Sequence, residues 1–248
     1  MTQKIYLYTV LVMLTILSLY SCSKDKDNYE PPNASIYGTL LNRVTNDTVP
    51  TANNTNAFGY NYPDGSLNLY QVNYSKTISG VQGTSYNQNG TYLNSAIFSG
   101  SYKAIPTGAF YADTAYFNVN GNTRQDFKVA PFLIVTMQVS SVTATSITVA
   151  YQAKTNDPAQ NVAEAAVWLG PRGVNRYSWL GSNYIPVDNS SYRDDHSGLS
   201  ADAGFTKVFS NLQPNTTYFI RSGALASGKN PSNYWNYSRV YEVKTQAQ

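Results

Sequence analysis

Phe209-Ser210-Asn211-Leu212-Gln213-Pro214-Asn215-Thr216-Thr217-Tyr218-Phe219-Ile220-Arg221 is the stretch on which the reading of this chain turns. Asn211, Pro214 and Asn215 are turn residues. Residues 216–220 form a run of β-branched and aromatic side chains, the kind that suits a pleated, half-buried strand. The same alternation of turn and strand chemistry extends outward from it. Gly, Asn, Asp and Pro recur every several residues, short runs of Val, Ile, Tyr, Phe and Thr lie between them, and no helical period survives beyond residue 32. That pattern predicts an all-β sandwich or barrel. Residues 161–169 read equally well as helix or strand, through Val162, Ala166, Val167 and Trp168.

Leu212, Pro214, Thr216 and Tyr218 fill the fibronectin type III signature L-x-P-x-T-x-Y, which this stretch closely resembles. The resemblance implies that Leu212 plugs a sandwich core and Pro214 sets the turn. Tyr218 becomes a tyrosine corner, its hydroxyl bonding backbone a few residues upstream. Trp168 matches that family's core Trp in order and strand context. The unit is expected over residues 131–248, with strands at 133–139, 145–151, 163–169 and 240–243. In the second of these Ile147, Val149 and Tyr151 fall on one face.

Residues 33–130 form the preceding unit. Ile36-x-Gly38 on an opening strand, then a turn, a loop and Gly100-x-Tyr102, resemble the transthyretin-like, carboxypeptidase-regulatory β-sandwiches. The expected architecture is therefore two tandem β-sandwiches. In front of them, Lys4 precedes an apolar run over residues 5–20, too short for a membrane span and suited to a signal peptide. Leu19-Tyr20-Ser21-Cys22 resembles a bacterial lipobox. The resemblance implies removal of residues 1–21, acylation of Cys22 and anchoring in a lipid bilayer. Residues 22–32, charged and ending in Pro31-Pro32, read as an extended tether.

Composition narrows the function. Of 248 residues, 12% are charged, against about 25% in an ordinary soluble domain, and Tyr alone occurs 22 times. The 17 basic and 14 acidic residues are spread without clusters, which argues against a nucleic-acid partner. One Cys excludes a disulfide scaffold and a Cys-based zinc site, and one His leaves little for imidazole catalysis. No nucleophile elbow, Walker loop, His-Glu-x-x-His or dinucleotide fingerprint occurs. Glu164, Asp188, Asp194, Asp195 and Asp202 are scattered carboxylates, and Asp194-Asp195-His196 reads as a solvated loop between Tyr192 and Gly198. A calcium site at Asp188, Asp194 and Asp195 is permitted by spacing but not required by it. The expectation is a non-catalytic protein without a cofactor or metal.

The aromatics are the better lead. Sugar rings present flat C–H faces to Tyr and Trp, while their hydroxyls bond amides. Residues 227–238 pack Tyr234, Trp235 and Tyr237 with Asn233 and Asn236 into a turn-rich loop, and a long excursion carries Tyr177 and Trp179. Tyr177, Trp179, Asn233, Tyr234, Trp235 and Tyr237 are the expected glycan-binding residues; the competing reading has Trp179 and Trp235 packed on each other as core. Phe58, Tyr60 and Tyr62 form a lesser cluster. Asp47-Thr48-Val49 and Asp113-Thr114-Ala115 resemble the Bacteroidota O-glycosylation site, which marks Thr48 and Thr114.

The segments Asp27-Asn28-Tyr29-Glu30-Pro31-Pro32-Asn33-Ala34 and Phe98-Ser99-Gly100-Ser101-Tyr102-Lys103, together with the two sandwiches, resemble Bacteroidota surface lipoproteins of uncharacterised type encoded beside SusC- and SusD-like uptake pairs. The resemblance implies an outer-membrane, outward-facing protein that assists glycan capture for such a pair. The alternative is a spacer that docks to the uptake complex and touches no glycan.

Overall fold

The computed structural model describes residues 30–52, 65–72, 82–170, 193–228, 230 and 233–248. Every regular element among them is a strand, so the all-β expectation holds. The ambiguous 161–169 stretch is a strand.

Nine strands build the first sandwich. β1 (Ala34–Asn42), β4 (Thr91–Ile97), β6 (Phe110–Ala112), β8 (Asn122–Arg124) and β9 (Phe127–Pro131) form one sheet in the order β4-β1-β9-β6, with β8 also paired to β1. β2 (Ser66–Gln71), β3 (Gln82–Ser85), β5 (Gly100–Pro106) and β7 (Ala115–Val119) form the facing sheet, β3-β2-β5-β7. Strand alternation puts Ile36, Leu40 and Val129 from one sheet against Leu67, Leu69, Tyr102 and Ala104 from the other. The opening Ile-x-Gly has a physical reason: a Cβ on Gly38 would collide with the Gln125 carbonyl oxygen, which also accepts the Tyr92 hydroxyl. Tyr102 closes the other end by donating to the Phe98 carbonyl at 2.8 Å.

The second sandwich faces β10 (Leu133–Val142), β11 (Ile147–Thr155) and β14 (Ala203–Phe209), in the order β10-β11-β14, with β12 (Asn161–Gly170), β13 (Arg193–Ser197), β15 (Thr217–Ser227), β16 (Trp235–Tyr237) and β17 (Tyr241–Lys244). The latter sheet runs β13-β12-β15-β16, and β17 pairs β15. Ile147, Val149, Val167, Leu169, Ile220 and Ala224 fill the space between. Leu212 is buried, and the Gln213 N–H donates to the Tyr218 hydroxyl at 3.0 Å, as a tyrosine corner requires. Asn211 and Asn215 hold the left-handed backbone, φ 59° and 52°, that the turn between β14 and β15 needs and that Asn tolerates.

Trp168 departs from expectation. Val167 and Leu169 point into the main core, so Trp168 points the other way, and it is buried on the outer face of its sheet. Residues Pro32–Gln248 pack as one compact unit, and that outer face is where the two sandwiches meet.

Candidate functional site

Where Tyr234, Trp235 and Tyr237 point is set by the turn before β16. The buried Asn230 amide knits that turn: its Nδ2 donates to the Tyr234 carbonyl at 2.8 Å, and its Oδ1 accepts from the Tyr234 N–H at 2.9 Å. From there the strand alternates. Tyr234 and Asn236 point inward, Trp235 and Tyr237 outward onto Trp168. Ring centres lie 5.6 Å apart for Trp168 and Trp235, and 6.3 Å for Trp168 and Tyr237. Gly223 makes room, since a Cβ there would come 2.9 Å from Trp168 Cζ3.

These rings are a seam, not a platform. Trp235 is 5% exposed, Tyr237 is buried, and Ala52 from the first sandwich packs against them. The expectation of an open aromatic surface at Trp235 and Tyr237 is corrected: the outer face of β12-β15-β16 is covered, so its large rings serve as core. Tyr234 is half-buried against the main core. Asn233 is exposed with φ 52°. Tyr177 and Trp179 lie outside the described residues, as do Cys22, Phe58, Tyr60, Tyr62 and Asp188.

Arg221 completes the seam. Its fully buried guanidinium stacks over Tyr237, 4.2 Å from the ring centre. Nε donates to the Ser238 carbonyl at 3.0 Å; one terminal nitrogen donates to the carbonyls of Thr51 at 2.8 Å and Gln88 at 3.1 Å, both in the first sandwich. Asn236 makes a second tie. Its Nδ2 donates to the Ala109 carbonyl at 2.8 Å, and its Oδ1 accepts from the Leu133 N–H at 3.0 Å. A notch of about 280 Å³ opens beside this joint, lined by Asn42, Thr48, Leu133, Asn156 and Asn236 among others. Its amides are occupied with backbone: Asn42 Oδ1 accepts from the Val44 N–H, and Asn156 Nδ2 donates to the Pro131 carbonyl.

The acidic segment is also placed differently from expectation. Asp194-Asp195-His196 is strand β13, paired to β12, and not a solvated loop. Asp194 faces the gap between β13 and β14. It accepts from the Tyr151 hydroxyl at 2.8 Å, lies 3.0 Å from His196 Nε2 and is 3.9 Å from Lys207 Nζ. The imidazole stacks flat on Phe205 at 3.6 Å. Burial, then the Asp194 carboxylate, push the Tyr151 phenol far above its ordinary pKa. Asp195 turns to the opposite side and pairs with Arg193 at 3.0 Å. This cluster closes the open flank of a sandwich with polar groups. Among the described residues no three His, Cys, Asp or Glu side chains gather to hold a metal.

One surface the sequence reading passed over is partly exposed. On β2-β5-β7 the inward residues are Leu67, Leu69, Tyr102 and Ala104, which turns their neighbours outward. Register then sets Tyr70, Lys103 and Tyr116 side by side across three strands. Lys103 Nζ sits 5.9 Å from the Tyr70 ring centre. The flanking positions are Asn68 and Ile105 on one side, Val72, Ser101 and Asn118 on the other. Tyr116 is 69% exposed and Val72 50%. Ser101 Oγ donates to Asn118 Oδ1 at 2.7 Å. The signal was in the sequence, as outward Tyr at alternate strand positions, but only register reveals that the two rings share a row. Thr48 and Thr114 are both exposed.

Residues 36–130 match the family model described as "Protein of unknown function (DUF3823) N-terminal domain". Among solved structures, a Bacteroides uniformis protein described as a "putative carbohydrate binding protein" superposes with a TM-score of 0.69 at 20% identity, over 86% of this chain and 99% of its own. A DUF3823 family protein from Parabacteroides merdae gives 0.63 at 19% identity, over 88% of this chain and 100% of its own. A second from Bacteroides uniformis gives 0.64 at 15%, over 86% and 100%. Likeness at these identities speaks for the fold. No curated protein matches the sequence.

Proposed function

We propose, starting from a first sandwich whose residues 36–130 match the DUF3823 N-terminal domain model, that this chain is a non-catalytic, lipid-anchored protein of the outer-membrane surface that captures glycan for a SusC/SusD-type uptake system. The observation that carries the reading is the row Tyr70-Lys103-Tyr116, half-buried at Tyr70 and Lys103 and exposed at Tyr116, with its Asn and Ser neighbours. Two phenol rings on a rigid sheet, ringed by amides and hydroxyls, match the two faces of a sugar: apolar C–H and polar hydroxyl. The description of the Bacteroides uniformis neighbour as a "putative carbohydrate binding protein" supports the same direction. A strand order of β10-β11-β14 against β13-β12-β15-β17, with the Tyr218 corner, supports a fibronectin type III-like second domain. Cys22 in its lipobox setting motivates the anchor.

An open sheet face keeps much of its water, so single-site affinity belongs in the micromolar to millimolar range, about −8 to −4 kcal/mol. Many anchored copies on one membrane raise retention of a long polysaccharide by avidity. Affinity gels containing a broad glycan panel test this. Retention by at least one glycan, lost in Tyr116→Ala, is expected; no retention by any glycan refutes it. Cys22→Ser should move the protein out of the membrane fraction and stop incorporation of labelled fatty acid. Incorporation that persists refutes the anchor.

The second reading is a spacer that docks to the uptake complex. The buried seam around Arg221 favours it, because a rigid two-sandwich arm is what a spacer needs. Co-purification with the uptake pair, unchanged in Tyr116→Ala and accompanied by no glycan retention, would select it.

A further inference from the structure

We infer that the glycan taken by the β2-β5-β7 face is an acidic polysaccharide, and that Lys103 is the residue that selects for its negative charge. The inference rests on the glycan-capture reading and adds the ligand class. The register places Lys103 between Tyr70 and Tyr116 in one row. Two strand intervals separate the rings, about 10 Å, so an extended chain crossing the strands lays one sugar on the exposed Tyr116 ring and brings its charged substituent to the ammonium, which itself stands over the Tyr70 ring.

The charge around Lys103 is one-sided. Asn68, Tyr70, Val72, Ser101, Ile105, Tyr116 and Asn118 share the face, and none is acidic. Four described cations stand against carboxylates, Arg43 against Asp113, Arg124 against Asp126, Arg193 against Asp195 and Lys207 against Asp194, while Lys128, Lys154, Arg239 and Lys244 share with Lys103 the absence of a salt bridge to a described residue. Lys103 has no such partner among the described residues; its neighbour is the π-face of Tyr70. A ring beside the ammonium steadies it without neutralising it, and its three donors remain for an anion. A neutral sugar laid over this spot would strip water from the charge and return only hydroxyl contacts, whereas a uronate or sulfate returns a charge-assisted bond.

The test uses the full mature chain in affinity gels, with polygalacturonate, alginate and chondroitin sulfate as acidic probes, xylan and pullulan as neutral ones, and polyglutamate as an acid without sugar. Expected are retention by at least one acidic polysaccharide, about fivefold weakening in Lys103→Gln, the size of one exposed charge pair, recovery in Lys103→Arg, and weakening by added salt. Equal retention by neutral glycans, lost in Tyr116→Ala, overturns the charge assignment and leaves glycan capture standing. Acidic retention unchanged in Lys103→Gln overturns it too, since the charge is then read elsewhere. Retention by polyglutamate equal to that by the acidic polysaccharides overturns the sugar component. Retention by no glycan overturns both readings.

Discussion

Two groups of aromatic rings in this protein share a composition and differ in fate. Trp168, Trp235 and Tyr237 lie on the outer face of one sheet, and Tyr70 and Tyr116 on the outer face of another. The first group is buried because loops of the neighbouring sandwich close over it, bringing Ala52 onto the rings and the Thr51 and Gln88 carbonyls onto Arg221. For the second group, Tyr116 remains 69% exposed. An outward aromatic on a strand is thus neither core nor binding surface by nature. What packs against the sheet decides, and that is a long-range property.

Truncating the two groups separates them most sharply. Trp235→Ala removes a ring packed on Trp168 and is expected to cost about 3–5 kcal/mol of stability on chemical denaturation; a loss under 1 kcal/mol would break the contrast. Next comes Tyr218→Phe, which takes away the acceptor of the Gln213 N–H and should cost about 1–3 kcal/mol. It gives a reference for buried polar function inside the second sandwich.

Alkali probes the buried phenols. Tyr151 is shifted upward by burial and by Asp194. The unfolded phenol ionises near pH 10 and the folded one only at higher pH. Its contribution is therefore complete below about pH 10 and fades as pH rises beyond, by about 1.4 kcal/mol per pH unit for each such group. Tyr151→Phe should show a shallower alkaline decline than the parent; identical slopes would place the cause in other tyrosines. The smallest expected stability effect belongs to Tyr116→Ala, within about 0.5 kcal/mol. A larger loss would mean that this ring, too, is structural.

The fold was largely legible in the sequence because its signals are local. Leu212, Pro214 and Tyr218 specify their turn within ten residues, and Ile36-x-Gly38 reports a close backbone approach that only Gly permits. The candidate surface was less legible. Large rings in a turn-rich loop read as exposed, yet Trp235 and Tyr237 answer to Ala52 and Trp168, far away in sequence, and Tyr237 to Arg221 on the neighbouring strand. Asp194-Asp195-His196 read as solvated because three polar residues rarely make a strand, and their pairing to β12 outweighs that composition. The row of Tyr70, Lys103 and Tyr116 exists only once three strands fall into register.

The Arg221 guanidinium also has a bearing on the order in which the chain matures. Its acceptors at Thr51 and Gln88 emerge from the ribosome long before Arg221 does. During synthesis the first sandwich therefore waits with two carbonyls that lack their eventual donor, and with Ala52 not yet covered by Trp235. Such distant closures slow folding and leave sticky surface in the interim. Folding that begins only once the chain is complete removes that interval, because both sandwiches are then available when they meet. A fragment spanning residues 33–130 is expected to be less soluble than one spanning residues 33–248, and adding Arg221→Met to the longer chain should reproduce part of that defect.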